Sequence, residues 1–294
     1  MKKRTRKIVG YILIIIGIGL PLIGFTGMTM NNLLAKGEYK SFRSTYLDQS
    51  KELLSTFEDE IIAYNENIKK QNSTTIVDPF TANGFETEYN IEDISNGGIF
   101  AFLVVPKLEM IKPIYLDATY EHLDMGVAHI DGTNLPIGGD STRSVIAGHR
   151  GWYRDTMFLN IDGLVEGDKV YVDRGSEMLV YEVSDKEVIG PSDWDKLAPR
   201  EGEDVLTLLT CHPFMPPRPY RLLVNCVRIL PEEFKEVDLE ATSVDKLLES
   251  MASEKVDSTN RYMNFGIYAV TAIGWLALIA VIVKFLVVLV DNLS

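Results

Sequence analysis

Cysteine is scarce in this chain: Cys211 and Cys226 are the only two among 294 residues. One pair cannot build a disulfide framework, and no CxxC spacing offers a zinc site or a dithiol redox pair. An excess of positive charge is missing as well. Lys and Arg number 29 against 42 Asp and Glu, a formal charge of −13. With no basic stripe and no interleaved aromatics, nucleic-acid binding is excluded as the leading reading. Internal repeats and low-complexity tracts are absent. No cluster of oxygen ligands suggests calcium, and neither a metal nor a cofactor is expected. What remains is a thiol with a distant histidine, the pattern of a catalytic cysteine. The competing reading is a packed structural thiol, the commoner fate of a free cysteine.

Two long apolar runs are present. Ile8 to Met30 carries no charge and is long enough to cross a hydrocarbon core. Five cationic residues stand in the first seven positions, which places that end in the cytoplasm by the positive-inside rule. The run exceeds a signal-peptide core and no small-x-small cleavage site follows it, so an uncleaved anchor is expected. Phe265 to Val290 is interrupted only by Lys284, which lies toward the end of the run and can snorkel. Two spans put both termini in the cytoplasm and residues from about 32 to 262 outside.

The expected organisation is a cytoplasmic tail and anchor over 1–30, an amphipathic helical segment over 31–72 and a long loop over 73–97. A β domain over 98–230, a linker over 231–262 and a second span with its tail over 263–294 follow. Phe42, Tyr46, Leu53, Phe57 and Ile61 recur at loosely helical spacing in the second of these. The loop is rich in Thr, Asn, Gly and acids and contains Asp78-Pro79-Phe80, which by itself reads as an ordinary turn. From Gly98 onward, short β-branched and aromatic runs alternate with Gly, Pro, Asp and Asn. They are Ile99–Val105, Met110–Tyr115, Ser144–Ala147, Lys169–Val172, Met178–Val188, Val205–Thr210 and Tyr220–Val227. Such spacing predicts a mostly β barrel or sandwich. A short helix is expected within the linker, from Val244 to Met251.

The run Val205 to Thr210 ends on Cys211, and the Pro-rich stretch behind it cannot continue a regular strand. A thiol at the end of a rigid strand suits a nucleophile. His149 follows the strand Ser144–Ala147 in a Gly-His-Arg-Gly turn and is the leading base. His129 is its rival, His212 points away from Cys211 by strand alternation, and His122 reads as a packing residue. Arg221, with Arg218 as competitor, can lower a thiol pKa and hold an oxyanion. Cys226 falls on the opposite face from Arg221 and reads as structural. A Cys211–Cys226 disulfide is the other reading in an oxidising compartment, and it would block the nucleophile.

Together the Thr-Leu-Leu-Thr-Cys run, the Gly-His-Arg-Gly around His149 and the Arg-Leu-Leu-Val at Arg221 resemble the signature of sortases, cysteine transpeptidases of Gram-positive cell surfaces. Val105-Pro106-Lys107-Leu108, Gly132-Thr133 and Leu135-Pro136-Ile137-Gly138-Gly139 are similar to that family's framework segments, in the same order. The resemblance implies a closed sortase-type β-barrel with N-terminal helices and flanking transmembrane helices. It implies His149, Cys211 and Arg221 as catalytic residues, with Thr210 supporting the substrate or oxyanion. The second span and Asp78-Pro79-Phe80 resemble class C, the pilus-assembling sortases. That likeness implies a lid in which Phe80 covers Cys211 and Asp78 pairs with Arg221. It further implies pilins with Leu-Pro-x-Thr-Gly-like sorting signals as partners and a thioacyl intermediate passed to a pilin lysine. Three departures stand out: His212-Pro213-Phe214-Met215 after the cysteine, Tyr220 before the arginine, and Asn225-Cys226 further along the strand. A sortase of another class, a membrane-bound cysteine protease and a non-catalytic β-domain receptor are the alternatives.

Overall fold

The computed structural model describes residues 3–70, 76–80, 89, 91, 93, 97–151, 153–229, 242–251 and 256–290. Most of the 73–97 loop, residue 230, and the stretches 231–241 and 252–255 of the expected linker lie outside the described residues.

Two compact units are present. The first gathers residues 1–34, 153–156 and 258–294. Its helices are the N-terminal part of α1 (Lys3–Leu47) and α5 (Ser258–Val290). Both are long and apolar enough to cross a membrane, with mean hydropathy 2.5 and 2.8 over their most apolar windows. They run in opposite directions along a seam of small and hydroxylated residues. Thr29 and Thr271 hydroxyls lie 2.9 Å apart, Trp275 Nε1 donates to Thr26 Oγ1 at 3.0 Å, and Tyr11 and Phe285 rings meet at 5.9 Å. Small residues let helix backbones approach, and hydroxyls bridge where lipid offers no partner. Pro21 inside α1 costs one backbone bond, which an apolar helix tolerates when neighbours compensate. Residues 153–156 pack on the same helix. A Cβ on Gly24 would lie 2.6 Å from the Tyr153 carbonyl oxygen, and Asn31 Nδ2 donates to Arg154 O and Asp155 Oδ2 at 3.2 and 3.0 Å.

The second unit, residues 35–152 and 157–257, is a closed barrel. Its strands are β1 (Ile99–Val105), β2 (Met110–Tyr115), β3 (Val127–His129), β4 (Thr142–Ala147), β5 (Lys169–Asp173), β6 (Met178–Ile189), β7 (Asp204–His212) and β8 (Tyr220–Ile229). They are ordered β1-β2-β3-β4-β7-β8-β6-β5, and β5 closes on β1. All seven expected strands are present. The three-residue β3 escapes periodicity because it is too short to show any. β7 runs two residues past the expected end at Thr210, because Cys211 and His212 still pair with Arg221 and Tyr220 of β8. Side chains alternate as the pleat requires: Leu206, Leu208, Leu222, Val224 and Cys226 fill the interior. Thr207, Leu209, Cys211, Arg221, Leu223 and Asn225 therefore take the outer face. Both cysteines are free thiols, and Cys226 is fully buried, so the disulfide reading is set aside.

The helical segment consists of the end of one helix and the whole of a second. α1 continues unbroken through position 31 to Leu47, and α2 (Lys51–Lys70) starts behind Ser50, whose Oγ accepts from Leu53 N at 3.2 Å. Charge and side-chain size change at position 31, but no helix stop signal is present there. Within the second unit, Tyr39 and Arg43 of α1 reach the fully buried Asp173, with Arg43 Nη1 donating at 2.7 Å. α2 buries Phe57, Ile61 and Asn65 at i, i+4 and i+8, one face of a helix. Asn65 fastens that face by bonding both N–H and C=O of Leu135, at 2.7 and 3.1 Å. A short helix α3 (Tyr120–Met125) precedes β3, and α4 (Val244–Ser250) lies where the linker helix is expected.

Candidate active site

Two parallel neighbours set the site. β4 pairs with β7 in parallel, Ala147 opposite Leu209, so both strands finish at the same rim of the barrel. The ladder continues past Ala147: Gly148 N donates to Leu209 O at 3.0 Å and Thr210 Oγ1 donates to Gly148 O at 2.7 Å. Two residues beyond each member of that pair stand His149 and Cys211. On the other side of β7, Cys211 is registered directly opposite Arg221 of antiparallel β8. Neighbouring strands lie about 4.8 Å apart, so the three residues occupy one row across β4, β7 and β8. Gly148 has a steric reason to be glycine: a Cβ there would meet the Phe158 ring at 2.7 Å.

Asp78 and Phe80 close over this row. Asp78 forms a buried ion pair with Arg221, one bond running from Nε to Oδ1 at 3.2 Å. Arg221 Nη1 also donates to the carbonyls of Arg218 and Tyr220 at 3.2 and 2.8 Å. The Phe80 amide donates to Asp78 Oδ1 at 3.1 Å, a local turn that Pro79 stiffens. The Phe80 ring lies 5.6 Å from the His149 ring and 5.4 Å from the Arg221 guanidinium carbon. It packs into an apolar cluster with Ala147, Leu209, Leu223, Ile189 and Leu197.

Burial governs the charges. It pushes the Cys211 thiol pKa up, and Asp78 adds to the rise, while Arg221, Arg218 and Arg150 oppose it. His149 is held below its ordinary value, by burial first and by Arg218, with Asp124 opposing. A desolvated site favours the neutral thiol and neutral imidazole over the ion pair.

The rival residues are engaged elsewhere. His129 is fully buried with both ring nitrogens occupied, Nδ1 by Tyr89 Oη at 2.8 Å and Nε2 by Asn134 O at 2.9 Å. Burial lowers its pKa to about 4. The sign follows: an unfolded His near 6.5 binds a proton that the folded one refuses, so stability falls as pH drops through that window. The expected loss is about 1.4 kcal/mol for each pH unit between about 6.5 and about 4. His129→Gln should flatten that slope in denaturant titrations of the full chain, and an unchanged slope would assign it to other groups. His122 pairs with Asp117 and stacks on Tyr115 at 4.7 Å. Arg218 is half-buried and bonds Phe214 O through Nε at 3.1 Å. Thr210 is fully buried with its hydroxyl on Gly148 O, where it braces the loop that carries His149.

Two neighbours escape sequence reasoning. Asp124, at the end of α3, comes within 3.8 Å of His149 Nε2. Arg150 is almost fully buried, pairs with Asp162 at 2.6 Å and lies under the Phe214 ring at 5.8 Å. Asp124 sits in no local pattern that separates it from an ordinary surface charge, and Arg150, although inside the Gly-His-Arg-Gly turn, carries no local sign of its burial.

Residues 103–229 match the sortase domain family. Sortase C-3 of Streptococcus pneumoniae is 40% identical, with 65% of this chain and 90% of that one covered and a TM-score of 0.60. This chain belongs to the sortase family. Sortase C1 of group B Streptococcus Pilus Island 1 is 30% identical over 66% of this chain and 98% of that structure, TM-score 0.60. Sortase A of Bacillus anthracis is 25% identical over 107 residues, which are 36% of this chain and 49% of that protein. The sortase thus matches about half the length of that curated relative. Members of the family are cysteine transpeptidases, and solved structures similar to this one include pilus-related sortase C enzymes.

Proposed function

We propose that this sortase joins pilin subunits, with Cys211 as nucleophile, His149 as acid and base, and Arg221 as oxyanion donor. The row formed by these three side chains, masked by Asp78 and Phe80, is the observation that carries the reading. The names of the pilus-related relatives support the class of substrate.

In this mechanism His149 takes the Cys211 proton as Sγ attacks the threonine carbonyl of a Leu-Pro-x-Thr-Gly-like signal. Arg221 and backbone amides beyond Cys211 hold the oxyanion. The Thr–Gly C–N bond breaks, the leaving amine takes the proton from His149, and a thioester remains on Cys211. A pilin lysine amine then attacks that carbonyl and gives its proton back through His149. The isopeptide C–N bond forms and the C–S bond breaks. Thr210 is a positioning residue, since its bond to Gly148 O couples the strand of Cys211 to the loop of His149. Two spans anchor the enzyme where its substrates emerge, with both termini cytoplasmic. The antiparallel pairing of α1 with α5 and the cationic N-terminus support that topology.

The cover explains how such a thiol is kept from water. Removing it resolvates Cys211 and His149 and releases Arg221 from Asp78, so the thiol pKa falls and the imidazole pKa rises. Full-length sortase with Asp78→Ala or Phe80→Ala is expected to be alkylated at Cys211 about 10-fold faster at pH 7, with the pH midpoint displaced downward. The functional test is the product made from a sorting-signal pilin in reconstituted vesicles. Covalent ladders linked through lysine support the reading. Cleaved monomer alone points to a protease, and a monomer linked to cell-wall amines to another sortase class.

A further inference from the structure

A cavity of about 790 Å3 lies on the same barrel face, and none of Cys211, His149 or Arg221 lines it. Its walls include Arg143, Asn134, Ile76, Trp194 and Leu197. Two of these carry hydrogen-bond donors that are buried and have no partner among the described residues: Asn134 Nδ2 and Arg143 Nε. Asn134 is 1% exposed and Arg143 3%. Their orientation is fixed by what they do use. Asn134 Oδ1 accepts from Arg143 N at 3.1 Å, which leaves the NH2 end over. Arg143 Nη1 donates to Thr207 Oγ1 and Asn225 Oδ1 at 3.2 and 3.1 Å, which leaves Nε over. Burial lowers the Arg143 pKa to about 10, so it stays cationic at neutral pH. An unmet buried donor is costly, and two on residues that line one cavity call for a ligand that supplies acceptors. Asp140 and Asp195 also line the cavity but are exposed, and Lys69 Nζ is bonded to Asp140 O at 3.2 Å.

The position of this pair relative to Cys211 is read from the strands. Arg143 is registered with Val205 and its guanidinium reaches Thr207, which are six and four residues before Cys211 on β7. At about 3.3 Å per residue that is roughly 13 to 20 Å, or about four to six residues of extended peptide. Between them runs the apolar row of Ala147, Leu209 and Leu223, part of the cluster into which Phe80, Trp194 and Leu197 also pack. That row suits the Leu-Pro half of a sorting signal, so the acyl-donor side of the peptide runs toward Arg143. We infer that Asn134 and Arg143 form a carboxylate-binding subsite for a glutamate or aspartate about one to three residues before the leucine of the sorting signal. The inference rests on the function proposed above and names a specificity-determining feature of its substrate.

Binding measured apart from turnover tests it. Full-length Cys211→Ala, Phe80→Ala sortase is titrated with fluorescent Leu-Pro-x-Thr-Gly peptides. These carry Glu, Gln or Lys one, two or three places before the leucine, or nothing there. The Glu peptide at one of these places is expected to bind at least about 10-fold more tightly than its Lys counterpart and several-fold more tightly than Gln, a loss typical of a missing charge-assisted bond. Asn134→Asp keeps the acceptor for Arg143 N and removes the free donor, so it should erase the Glu preference and leave the truncated peptide unchanged. Equal binding of the Glu, Gln and Lys peptides, or a preference that survives Asn134→Asp in folded protein, overturns the subsite. The peptide series alone decides the matter if the variant fails to fold. Thioacylation of Cys211 by the truncated peptide, measured in parallel on Phe80→Ala protein, keeps the two readings apart. Acylation without a Glu preference defeats only the subsite, whereas a Glu preference without acylation defeats only the transpeptidase assignment.

Discussion

Full-length sortase carrying Cys211→Ala is expected to form no covalent adduct with any sorting peptide and no pilin ladder. The loss should reach the detection limit, a factor above about 10^4, because a methyl group offers no electron pair to the carbonyl. Binding of the peptide should survive, which separates loss of chemistry from loss of fold. Cys226→Ala provides the internal comparison. That thiol is fully buried inside the barrel, and burial drives its pKa far up, so it is neither accessible nor ionised. Its replacement should cost stability, by about 1 kcal/mol for the lost packing, and leave the adduct intact. An adduct on the Cys211→Ala protein, found by intact mass and located by peptide mapping, would move the nucleophile elsewhere.

Arg221→Ala is the second large effect. Arg221 stands opposite Cys211 across β7 and β8, is 6% exposed, and is held from both sides by Asp78 and by the carbonyls of Arg218 and Tyr220. In the proposed mechanism the departure of the cover frees its Nε and Nη2 from Asp78 beside Cys211. A guanidinium placed there serves the tetrahedral oxyanion, and removing one such donor costs about 10^2 to 10^3 in kcat. Arg221→Lys should recover only part, since an ammonium cannot reproduce the fork. Arg218→Ala should change the acylation rate less than about threefold, for its guanidinium is turned to Phe214 O, which both Nε and Nη2 bond. Single-turnover acylation on peptides separates the two arginines, and equal losses for both would undo the assignment of Arg221 alone. Arg221→Ala also leaves Asp78 without its buried cation, so the cover should loosen and alkylation of Cys211 should quicken even as transfer slows. A structural role alone would not split those two readouts.

Much of this was legible before any coordinates. Strand texture over Gly98–Val227 marked seven of eight strands, because β-branched runs between Gly and Pro turns carry their own signal. The two apolar runs carried theirs by length. Other features left no local trace. β3 is three residues long, and the helix break after Leu47 depends on where Ser50 caps the next helix rather than on a change of composition at position 31. Asp124 and Arg150 matter through what they approach, and that is decided by chain segments far from them in sequence.

The kinds of chemistry on offer are written in local sequence: one strand-end thiol, a histidine after a second strand, an arginine on a third, and a stiff acid–proline–aromatic turn. Residue type and local pattern suffice for that, since propensity and periodicity are short-range properties. That these groups meet in one row, with Asp78 and Phe80 packed against it, is a product of the assembled fold. The parallel register of β4 with β7 and the antiparallel register of β7 with β8 are non-local pairings, set by how the barrel closes. Cys211 is half-buried and His149 buried in the assembled barrel, and that burial gives both pKa shifts their direction; Asp78 and Phe80, which pack on Arg221 and His149, lie more than a hundred residues from Cys211 in the chain. Burial is a property of the assembled fold, and no stretch of sequence carries it alone.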